Sequence, residues 1–495
     1  MGLDWRARGP DRRLEDTATN AKHGQTASSR RTGYSSARTA LGILKHLKRS
    51  KSDKTSGLPS LLIRDAYIWT KNHITRGSIL VEQGKIRRIA RNITERADEE
   101  ILARRLIVLP GLIDGHVHLR DMKLSYKEDF TTGTAAAAAG GFTSVIDMPN
   151  SLPPTDSAER LRERAERASG KILVNVGFHS AAVDDQDAAS AMKSAGAFSM
   201  KLYMPNPIAP LNLSDDKVVV QVLNAAKQAS LLLTVHAEDM TKLPRTEKIT
   251  TFAELVRLRL GIAETSAVRR ILRLQRRIGC RVHFCHVSLP SSLSAISDRA
   301  SSRLSSEITP HHILLDENHV KTLRWKAWMV PPLRPGKDRQ NLFRAMKMGI
   351  PTIMATDHAP HTVKEKAQPP RESSPGIPGL ETALPLMLTM VNKGKLSLGR
   401  LVSLLATNPA KVFDLRSKGR LENGADGDLV LVDLKKRGRI DPDKFLSKAH
   451  YSPFEGWKTQ GVVHTTIVSG LVVYREGEIT GEPGIGKVLK RGRHV

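Results

Sequence analysis

The sequence predicts an α/β protein in which a (β/α)8 barrel of the TIM type carries a small β-sandwich module. From residue 110 to 418, short apolar runs alternate with amphipathic helical stretches, which is typical of a parallel sheet with crossover helices. About 300 residues of this pattern suit a closed barrel better than an open sheet. A dinucleotide-binding fold is disfavoured, because no glycine-rich phosphate loop follows the first strand.

Strand-rich segments on both sides of the barrel region predict one composite β-module. Residues 59–109 contain short β-type runs such as 61–63 and 78–81. The same texture returns in residues 419–482. We therefore predict that both flanking segments form the module, and that residues 483–495 are a basic C-terminal tail.

Residues 1–58 are predicted to form a basic, disordered tail. They are rich in Ser, Thr, Arg and Lys, lack a sustained apolar period, and contribute +8 of the net charge of +28. Two other interpretations stay open, a targeting segment and a misplaced translation start. Acidic residues such as Asp11 and Glu15 disfavour a transit peptide.

Composition narrows the classes of protein and partner. A net charge of +28 would attract RNA, acidic membranes or anionic metabolites. Nucleic acid is disfavoured, because only 4% of residues are aromatic and no basic-aromatic stripe offers a stacking platform. No window approaches the roughly 18 apolar residues of a membrane span, and two cysteines suit a reducing compartment. We therefore expect a cytoplasmic protein without a membrane partner.

Polar side chains fall where the predicted barrel strands end. His116 and His118 follow an apolar strand and, at positions i and i+2, share a face. Other strand ends carry Lys201, His236, His286 and Asp357. Since the carboxyl ends of barrel strands converge on the face where active sites are built, and imidazole and carboxylate are suitable zinc ligands, the sequence predicts a metal site there.

Each of these residues also has an ordinary structural interpretation. A lone His-x-His pair is more often incidental, His236 could be a satisfied core histidine, and Asp357 could cap a following helix. Lys201 would ordinarily extend its amine to solvent. Five strand ends with matching chemistry nevertheless favour the metal site over coincidence.

Five motifs carry a resemblance to a known family. They are the segment around the first histidine pair, a following loop, the last barrel strand, the loop after it and a late segment, at 111–121, 148–151, 356–362, 375–382 and 445–456. Together they resemble the dihydroorotases of the cyclic amidohydrolase superfamily, both the archaeal enzymes and the dihydroorotase domain of the animal multifunctional pyrimidine protein. The likeness runs from about residue 60 to the C-terminus.

This resemblance implies a zinc-dependent enzyme of pyrimidine (UMP) biosynthesis that interconverts L-dihydroorotate and N-carbamoyl-L-aspartate. It implies two Zn2+ ions per chain, bridged by hydroxide and by a carboxylated Lys201. The implied ligands are His116, His118 and Asp357 for the first ion, and His236 and His286 for the second. Asp357 would also be the catalytic residue that moves a proton from the attacking oxygen to the ring nitrogen.

The same resemblance implies three substrate-binding residues. Arg120 would engage the ring carboxylate that distinguishes dihydroorotate from hydantoins, dihydropyrimidines and allantoin. Asn150 and His361 match the other substrate-contacting positions. A salt bridge at the barrel mouth is the alternative role for Arg120, and hydrogen bonding within loops is the alternative for the other two.

The sequence departs from the family pattern at two places and leaves a third open. Val330 stands where many dihydroorotases have Asn or Arg, and nearby cations that might replace that polar contact are Arg334 and Lys337. The loop at Pro205–Pro207 lacks the Thr-Phe pair of the animal enzyme. Cys285 and Glu307 match positions linked to an extra zinc in some relatives, although a buried structural cysteine is the preferred interpretation.

Partners and competing functions follow from the same comparison. The resemblance implies a small anionic substrate, and it raises a homodimer and association with aspartate transcarbamoylase as further partners. Three alternatives remain beside the dihydroorotase. They are a related hydantoinase-like or allantoinase-like enzyme, a non-catalytic scaffold of the same fold, and RNA binding through the basic tail.

Overall fold

The computed structural model describes residues 57–70, 73–244, 248–299 and 301–491. All but the last two residues of the predicted tail, 1–58, therefore lie outside the described residues. Among the described helices, none combines the length and the apolar character that a bilayer crossing requires.

The described strands fall into two groups, a flanking group and a barrel group. The flanking group comprises β1 (Leu61–Thr70), β2 (His73–Glu82), β3 (Lys85–Ala90), β4 (Glu99–Leu102) and β5 (Ile107–Pro110) before the barrel. The barrel group comprises β6 (Leu112–Val117), β7 (Phe142–Asp147), β8 (Asn175–Phe178), β9 (Ser180–Ala181), β10 (Ser199–Tyr203), β11 (Leu232–His236), β12 (Val282–Phe284), β13 (Leu304–Ile308) and β14 (Ile353–Met354). The flanking group resumes with β15 (Leu429–Arg439), β16 (Lys458–Val468), β17 (Leu471–Arg475) and β18 (Glu478–Ile479).

Helices alternate with the barrel strands and cover them. The described α-helices are α1 (Phe130–Ala139), α2 (Ala158–Ala168), α3 (Gln186–Ala195), α4 (Asp216–Gln228), α5 (Phe252–Leu258), α6 (Gly261–Ile278), α7 (Pro290–Ser297), α8 (Pro310–Leu314), α9 (Glu317–Leu323), α10 (Gly336–Lys347), α11 (Val363–Lys366), α12 (Leu380–Asn392), α13 (Leu398–Val402) and α14 (Asn408–Val412). Short 3-10 or π turns occur at Met122–Leu124, Met240–Lys242, Arg324–Ala327, Ser403–Thr407 and Pro442–Lys444.

Eight parallel strand positions form the barrel. Strand β6 pairs with β7 and β7 with β8, while β9 to β14 pair in chain order. The third position is split at His179, which separates β8 from β9. The first and last positions meet where Val117 bridges to His358, and the His118 amide donates to the His358 carbonyl at 2.8 Å. The predicted (β/α)8 fold with a β-rich module is thus confirmed.

The β-rich module is a nine-stranded sheet drawn from both sides of the barrel. Its strand order is β18-β17-β16-β15-β5-β1-β2-β3, and β4 pairs with β1. Strand β5 pairs antiparallel with β15, with Leu109 opposite Val430. Gly111 alone separates β5 from β6, so the sheet leads directly into the first barrel strand. The module thereby fixes the start of the strand that carries His116.

Candidate metal centre and substrate site

The structure brings the six predicted metal-site residues to one end of the barrel. Their positions are His116 in β6, His118 one residue after it, Lys201 in β10, His236 at the end of β11, His286 two residues after β12 and Asp357 three residues after β14. The parallel register brings neighbouring strand ends to the same height along the barrel axis, since Tyr203 in β10 lies opposite His236 in β11. As in other barrels of this type, polar side chains from several strands therefore converge on one face.

His116, His118 and Asp357 form the first group. Nε2 of His116 lies 3.3 Å from Oδ1 of Asp357, and Nε2 of His118 lies 3.2 Å from the same oxygen. The candidate ligand atoms of the three residues all lie within 4.8 Å of one another. Two imidazole nitrogens and a carboxylate oxygen thus surround one small volume, which is a donor set that suits a zinc ion.

The opposite ring nitrogens of this first histidine pair are held by oxygen acceptors. Nδ1 of His116 lies 2.5 Å from Oε1 of Glu307, and Nδ1 of His118 lies 2.6 Å from Oδ1 of Asn150. These contacts fix both rings so that Nε2 of each faces Asp357, as residues behind metal ligands commonly do.

His236 and His286 form the second group. Nδ1 of His236 lies 3.0 Å from Nε2 of His286, and Nε2 of His236 donates to Oε2 of Glu238 at 2.6 Å. Nδ1 of His286 is buried and has no hydrogen-bond partner among the described residues. Burial lowers the pKa of His236 to about 4, so its imidazole is neutral near pH 7. Neutral imidazoles with unsatisfied nitrogens are suitable ligands for a cation.

Two residues absent from the sequence-based site hold His236 in place. Glu238 is 1% exposed and receives two hydrogen bonds from the guanidinium of Arg259, at 2.9 and 2.8 Å. Glu238 lies two residues after a candidate ligand, which was a readable signal. Arg259 comes from the segment between α5 and α6, and nothing in the sequence pattern links it to the site.

Lys201 is a buried amine whose charge acts on histidines of both groups. Its side chain is 5% exposed, and its Nζ lies 3.1 Å from Sγ of Cys285. Among the described residues, no carboxylate pairs with this amine. Burying an unpaired ammonium is costly, whereas a lysine converted to a carbamate by carbon dioxide would be an anionic ligand. The surroundings of Lys201 therefore fit the carboxylated form.

The first group also attracts positive charge. Burial and the charge of Lys201 oppose protonation of His116, yet the carboxylates of Glu307 and Asp357 raise its pKa to about 10. Burial would raise the pKa of Asp357, but the charge of His116 and a hydrogen bond from His118 lower it. A cation in this volume would satisfy the same carboxylates. The donor set of the first group and its charge thus fit a bound metal ion.

The backbone is strained at three of the site residues. Arg120, His286 and Asp357 have φ values of 57°, 31° and 48°, in the left-handed region that non-glycine residues rarely adopt. Such conformations cluster at functional sites, where the surrounding structure fixes them. All three occur just beyond a barrel strand, where the chain turns to aim a side chain into the site.

Arg120 occupies the other side of the site as a buried cation. It is 7% exposed, and its Nε donates to the Pro360 carbonyl at 3.3 Å. Its Nη2 lies 3.1 Å from Nε2 of His361. No carboxylate among the described residues pairs with it, because the nearby Asp147 is bound by Arg164. A salt bridge at the barrel mouth, the alternative role for Arg120, is therefore absent from the described part of the chain.

Asn150 and His361 have different partners in the site. Asn150 is exposed and contacts His118, whereas His361 is 8% exposed and contacts Arg120. His361 also contacts Nζ of Lys127 at 3.3 Å, a residue that the sequence-based site does not include. Of the three predicted substrate residues, Asn150 therefore contacts the first metal group, and Arg120 and His361 contact each other.

Two open questions of the sequence receive structural detail. The group His116, Cys285 and Glu307 has donor atoms within 4.8 Å, but the carboxylate of Glu307 already accepts from His116, from His283 and from the His286 amide. A structural role for Cys285 stays our prediction.

Val330, the second open question, packs against the hydrophobic core.

The two cations proposed as replacements near Val330 lie in different surroundings. Nε of Arg334 donates to Oγ of Ser288 at 2.9 Å, and Nη1 donates to the Arg259 carbonyl at 2.7 Å. Arg334 therefore supports the segment behind Glu238. Lys337 is exposed at the start of α10. The surroundings of Arg334 and Lys337 therefore do not show that either residue replaces the polar side chain that Val330 lacks.

Comparison with known proteins gives one consistent result. The model of the amidohydrolase family matches residues 107–473. The chain is 38% identical over 408 residues to the dihydroorotase of Methanothermobacter thermautotrophicus, covering 81% of this chain and 92% of that one. It is 35% identical over 422 residues to the dihydroorotase of Bacillus cytotoxicus, covering 83% and 97%. The L-hydantoinase (dihydropyrimidinase) from Arthrobacter aurescens superposes with a TM-score of 0.80 at 28% identity, covering 88% and 100%.

Proposed function

Because this chain belongs to the amidohydrolase family and is a cyclic amide hydrolase, we propose that it interconverts L-dihydroorotate and N-carbamoyl-L-aspartate. The observation that carries this choice of substrate is the buried Arg120 without a carboxylate partner. A buried, unpaired guanidinium is costly unless an anion joins it. Dihydroorotate brings a ring carboxylate, and hydantoin and dihydrouracil do not.

The metal part of the proposal assigns each ligand to an ion. His116, His118 and Asp357 would hold one zinc ion, and His236 and His286 the other, with Lys201 as a bridging carbamate. Zinc ions held there would polarise the amide carbonyl and lower the pKa of an attacking water. The near contact of His116 with His286, whose ring centroids are 5.2 Å apart, is compatible with two neighbouring ions.

The chain's own residues would supply the proton transfer and the substrate orientation. Asp357 shares its volume with both histidines of the first group, so its carboxylate is placed to take a proton at that point and return it to the ring nitrogen. Arg120 would fix the ring carboxylate by paired hydrogen bonds, and Asn150 and His361 would border the ring. Orientation of this kind replaces a diffusive encounter by a fixed geometry.

The wider context is proposed on the same basis. In the cyclising direction the reaction serves pyrimidine synthesis, which takes place in the cytoplasm. A homodimer and association with aspartate transcarbamoylase stay predictions from the resemblance. We also propose the domain division 59–109 with 419–482, 110–418 and 483–495. Residues 484–489 run beside β8, since Val176 bridges to Val488.

The first experiment is an ultraviolet assay of dihydroorotate hydrolysis with metal analysis of the same sample. Hydantoin, dihydrouracil and allantoin serve as competing substrates, and Asp357→Ala and Lys201→Ala as variants. We expect turnover of dihydroorotate alone, about two zinc ions per wild-type chain, and no activity in either variant. Turnover of an uncharged ring instead would favour a hydantoinase-like enzyme, and neither zinc nor turnover would favour a scaffold.

A further inference from the structure

Lys127 links an acidic residue to a predicted substrate residue beside Arg120. It lies in the loop between Met122–Leu124 and α1, and its side chain is 12% exposed. Its Nζ lies 2.8 Å from Oε1 of Glu365 and 3.3 Å from Nδ1 of His361. Glu365 thus anchors the ammonium, and the ammonium reaches the histidine ring from its Nδ1 side.

Two contacts favour the tautomer of His361 that carries its proton on Nε2. An ammonium group only donates hydrogen bonds, so Nδ1 accepts from Lys127 in that tautomer. Its Nε2–H then donates to the carbonyl oxygen of Pro375 at 3.0 Å, whereas a proton on Nδ1 would satisfy only the contact of Nε2 with Nη2 of Arg120. Burial, together with the charges of Arg120 and Lys127, lowers the pKa of His361 well below its usual value, so the ring is neutral.

The fixed tautomer leaves the Nη donors of Arg120 free, while its Nε donates to the Pro360 carbonyl. Nη2 of Arg120 lies 3.1 Å from Nε2 of His361, but a nitrogen that bears a proton cannot accept from a guanidinium. The Nε2–H of His361 is taken by the Pro375 carbonyl, so the Nη N–H groups of Arg120 are the donors that remain for a ligand. Two or more donors at one place form a site for an anion rather than for a neutral group.

The charge balance favours the same ligand. Arg120 and Lys127 are two buried or half-buried cations, and Glu365 is the only carboxylate that pairs with either among the described residues. The other oxygen of Glu365 accepts from the amide and hydroxyl of Thr362 at 3.0 Å each. One positive charge thus remains for a ligand carboxylate.

We infer that Lys127 is a positioning residue of the substrate site, which fixes His361 as its Nε2–H tautomer and completes an anion subsite with Arg120. The inference rests on the proposed function, because the ring carboxylate of dihydroorotate is the ligand of this subsite. Lys127 itself contacts His361 and Glu365, so it acts on the substrate through the histidine.

The kinetic test compares Lys127→Met with Lys127→Arg and with Lys123→Met. Lys123 is an exposed residue of the same loop, so its variant removes an equal charge without touching His361. For Lys127→Met we expect KM for dihydroorotate and the inhibition constant of orotate, a carboxylated ring, to rise about tenfold. We expect kcat and inhibition by uracil to change less than about threefold, since the uncharged ring makes no use of the subsite. Lys127→Arg keeps a donor toward His361 and should restore most of the affinity.

A second measurement reads the tautomer without any kinetic assumption. Nitrogen NMR of histidine-labelled holoenzyme, with His361 assigned by His361→Asn, should show the proton on Nε2 in the wild type. In Lys127→Met the two tautomers should mix. A proton on Nδ1 in the wild type would overturn the inference even if the variant fails to fold.

The outcomes separate this inference from the proposed function. If the wild-type enzyme prefers an uncharged ring to dihydroorotate, the proposed function fails and the anion subsite fails with it. If the wild type turns over dihydroorotate but Lys127→Met behaves like Lys123→Met, only the role of Lys127 is refuted. A tenfold loss of affinity for both orotate and uracil would likewise refute it, because a general structural defect does not distinguish charge.

Discussion

The metal side of the site (His116, His118, Lys201, His236, His286 and Asp357) and its substrate side (Arg120, Lys127 and His361) differ in two respects. Their residues come from different parts of the fold, and their unbalanced charges have opposite signs. The metal side is built from strand ends, and carboxylates such as Glu307 and Glu238 hold the far nitrogens of its histidines. The substrate side is built from loops, and within the described part of the chain its cations have a single carboxylate partner, Glu365. One side therefore needs added positive charge and the other needs added negative charge.

This difference separates the two kinds of chemistry. Residues on the metal side should control the chemical step and metal content, because they surround the reacting bond. Residues on the substrate side should control affinity and the choice of ring, because they face the group that does not react. Substitutions on each side test this distinction.

The largest effect is expected for Asp357→Asn on the metal side. An amide neither accepts the transferred proton nor balances the charge of a zinc ion, so kcat should fall by about a thousandfold or more. Steady-state kinetics with zinc in excess measures this loss. Asp443→Asn, at an exposed position, is the control. Retention of a tenth of the wild-type kcat would remove Asp357 from the proton transfer.

The next largest effect is expected for Arg120→Met on the substrate side. Loss of paired, charge-assisted hydrogen bonds should raise KM for dihydroorotate by about a hundredfold, while the zinc content stays unchanged. Arg162→Met removes an exposed arginine of α2 and serves as the control. If zinc content fell together with affinity, the two sides would not be separable and the comparison would be wrong.

A smaller effect on the metal side is expected for Glu238→Gln. Oε2 of Glu238 accepts from His236, and Arg259 fixes the carboxylate, so the amide should weaken zinc binding by about tenfold to a hundredfold. Competition with a chelator, followed by zinc return and recovery of activity, measures the change. Glu166→Gln, at an exposed position of α2, is the matched control. An unchanged zinc affinity would show that His236 needs no such support.

The smallest effect on activity is expected at Glu381, a residue outside the site whose ionisation changes the stability of the fold instead. Its carboxylate accepts from the amides of Leu446 and Ser447, and burial raises its pKa to about 8. The folded state then binds this proton more tightly than the unfolded state does. The stabilisation is therefore full below the unfolded pKa, near 4.5, and is lost as pH rises through about 8. The free energy of unfolding should fall by at most about 1.4 kcal/mol per pH unit in this window.

Denaturant titrations between pH 4 and 9 test this dependence. The Glu381→Gln variant cannot ionise, so its stability should show a flatter pH profile over the same window. Glu159→Gln, which is exposed on α2, controls for removal of a surface charge. Parallel pH profiles for the wild type and Glu381→Gln would contradict the raised pKa.

The same contrast explains what the sequence predicted. The barrel and the positions of His116, Lys201 and Asp357 follow from strand periodicity, because parallel strands end on one face. Arg259 and Lys127 escaped notice because they act through contacts between segments that no local pattern joins, whereas Glu238, two residues after His236, had a readable local signal. Arg259, for example, meets Glu238 across 21 residues, and Lys127 meets His361 across 234.

The β-rich module has a consequence for the order in which the polypeptide folds. Strand β5 lies in its sheet between β1 and β15, yet β15 follows β5 by about 320 residues. During synthesis, β5 can pair with β15 only after nearly the whole chain has been made. Until then its edge is open to pairing with other chains. Truncation before residue 429 should therefore yield aggregates rather than a smaller soluble enzyme.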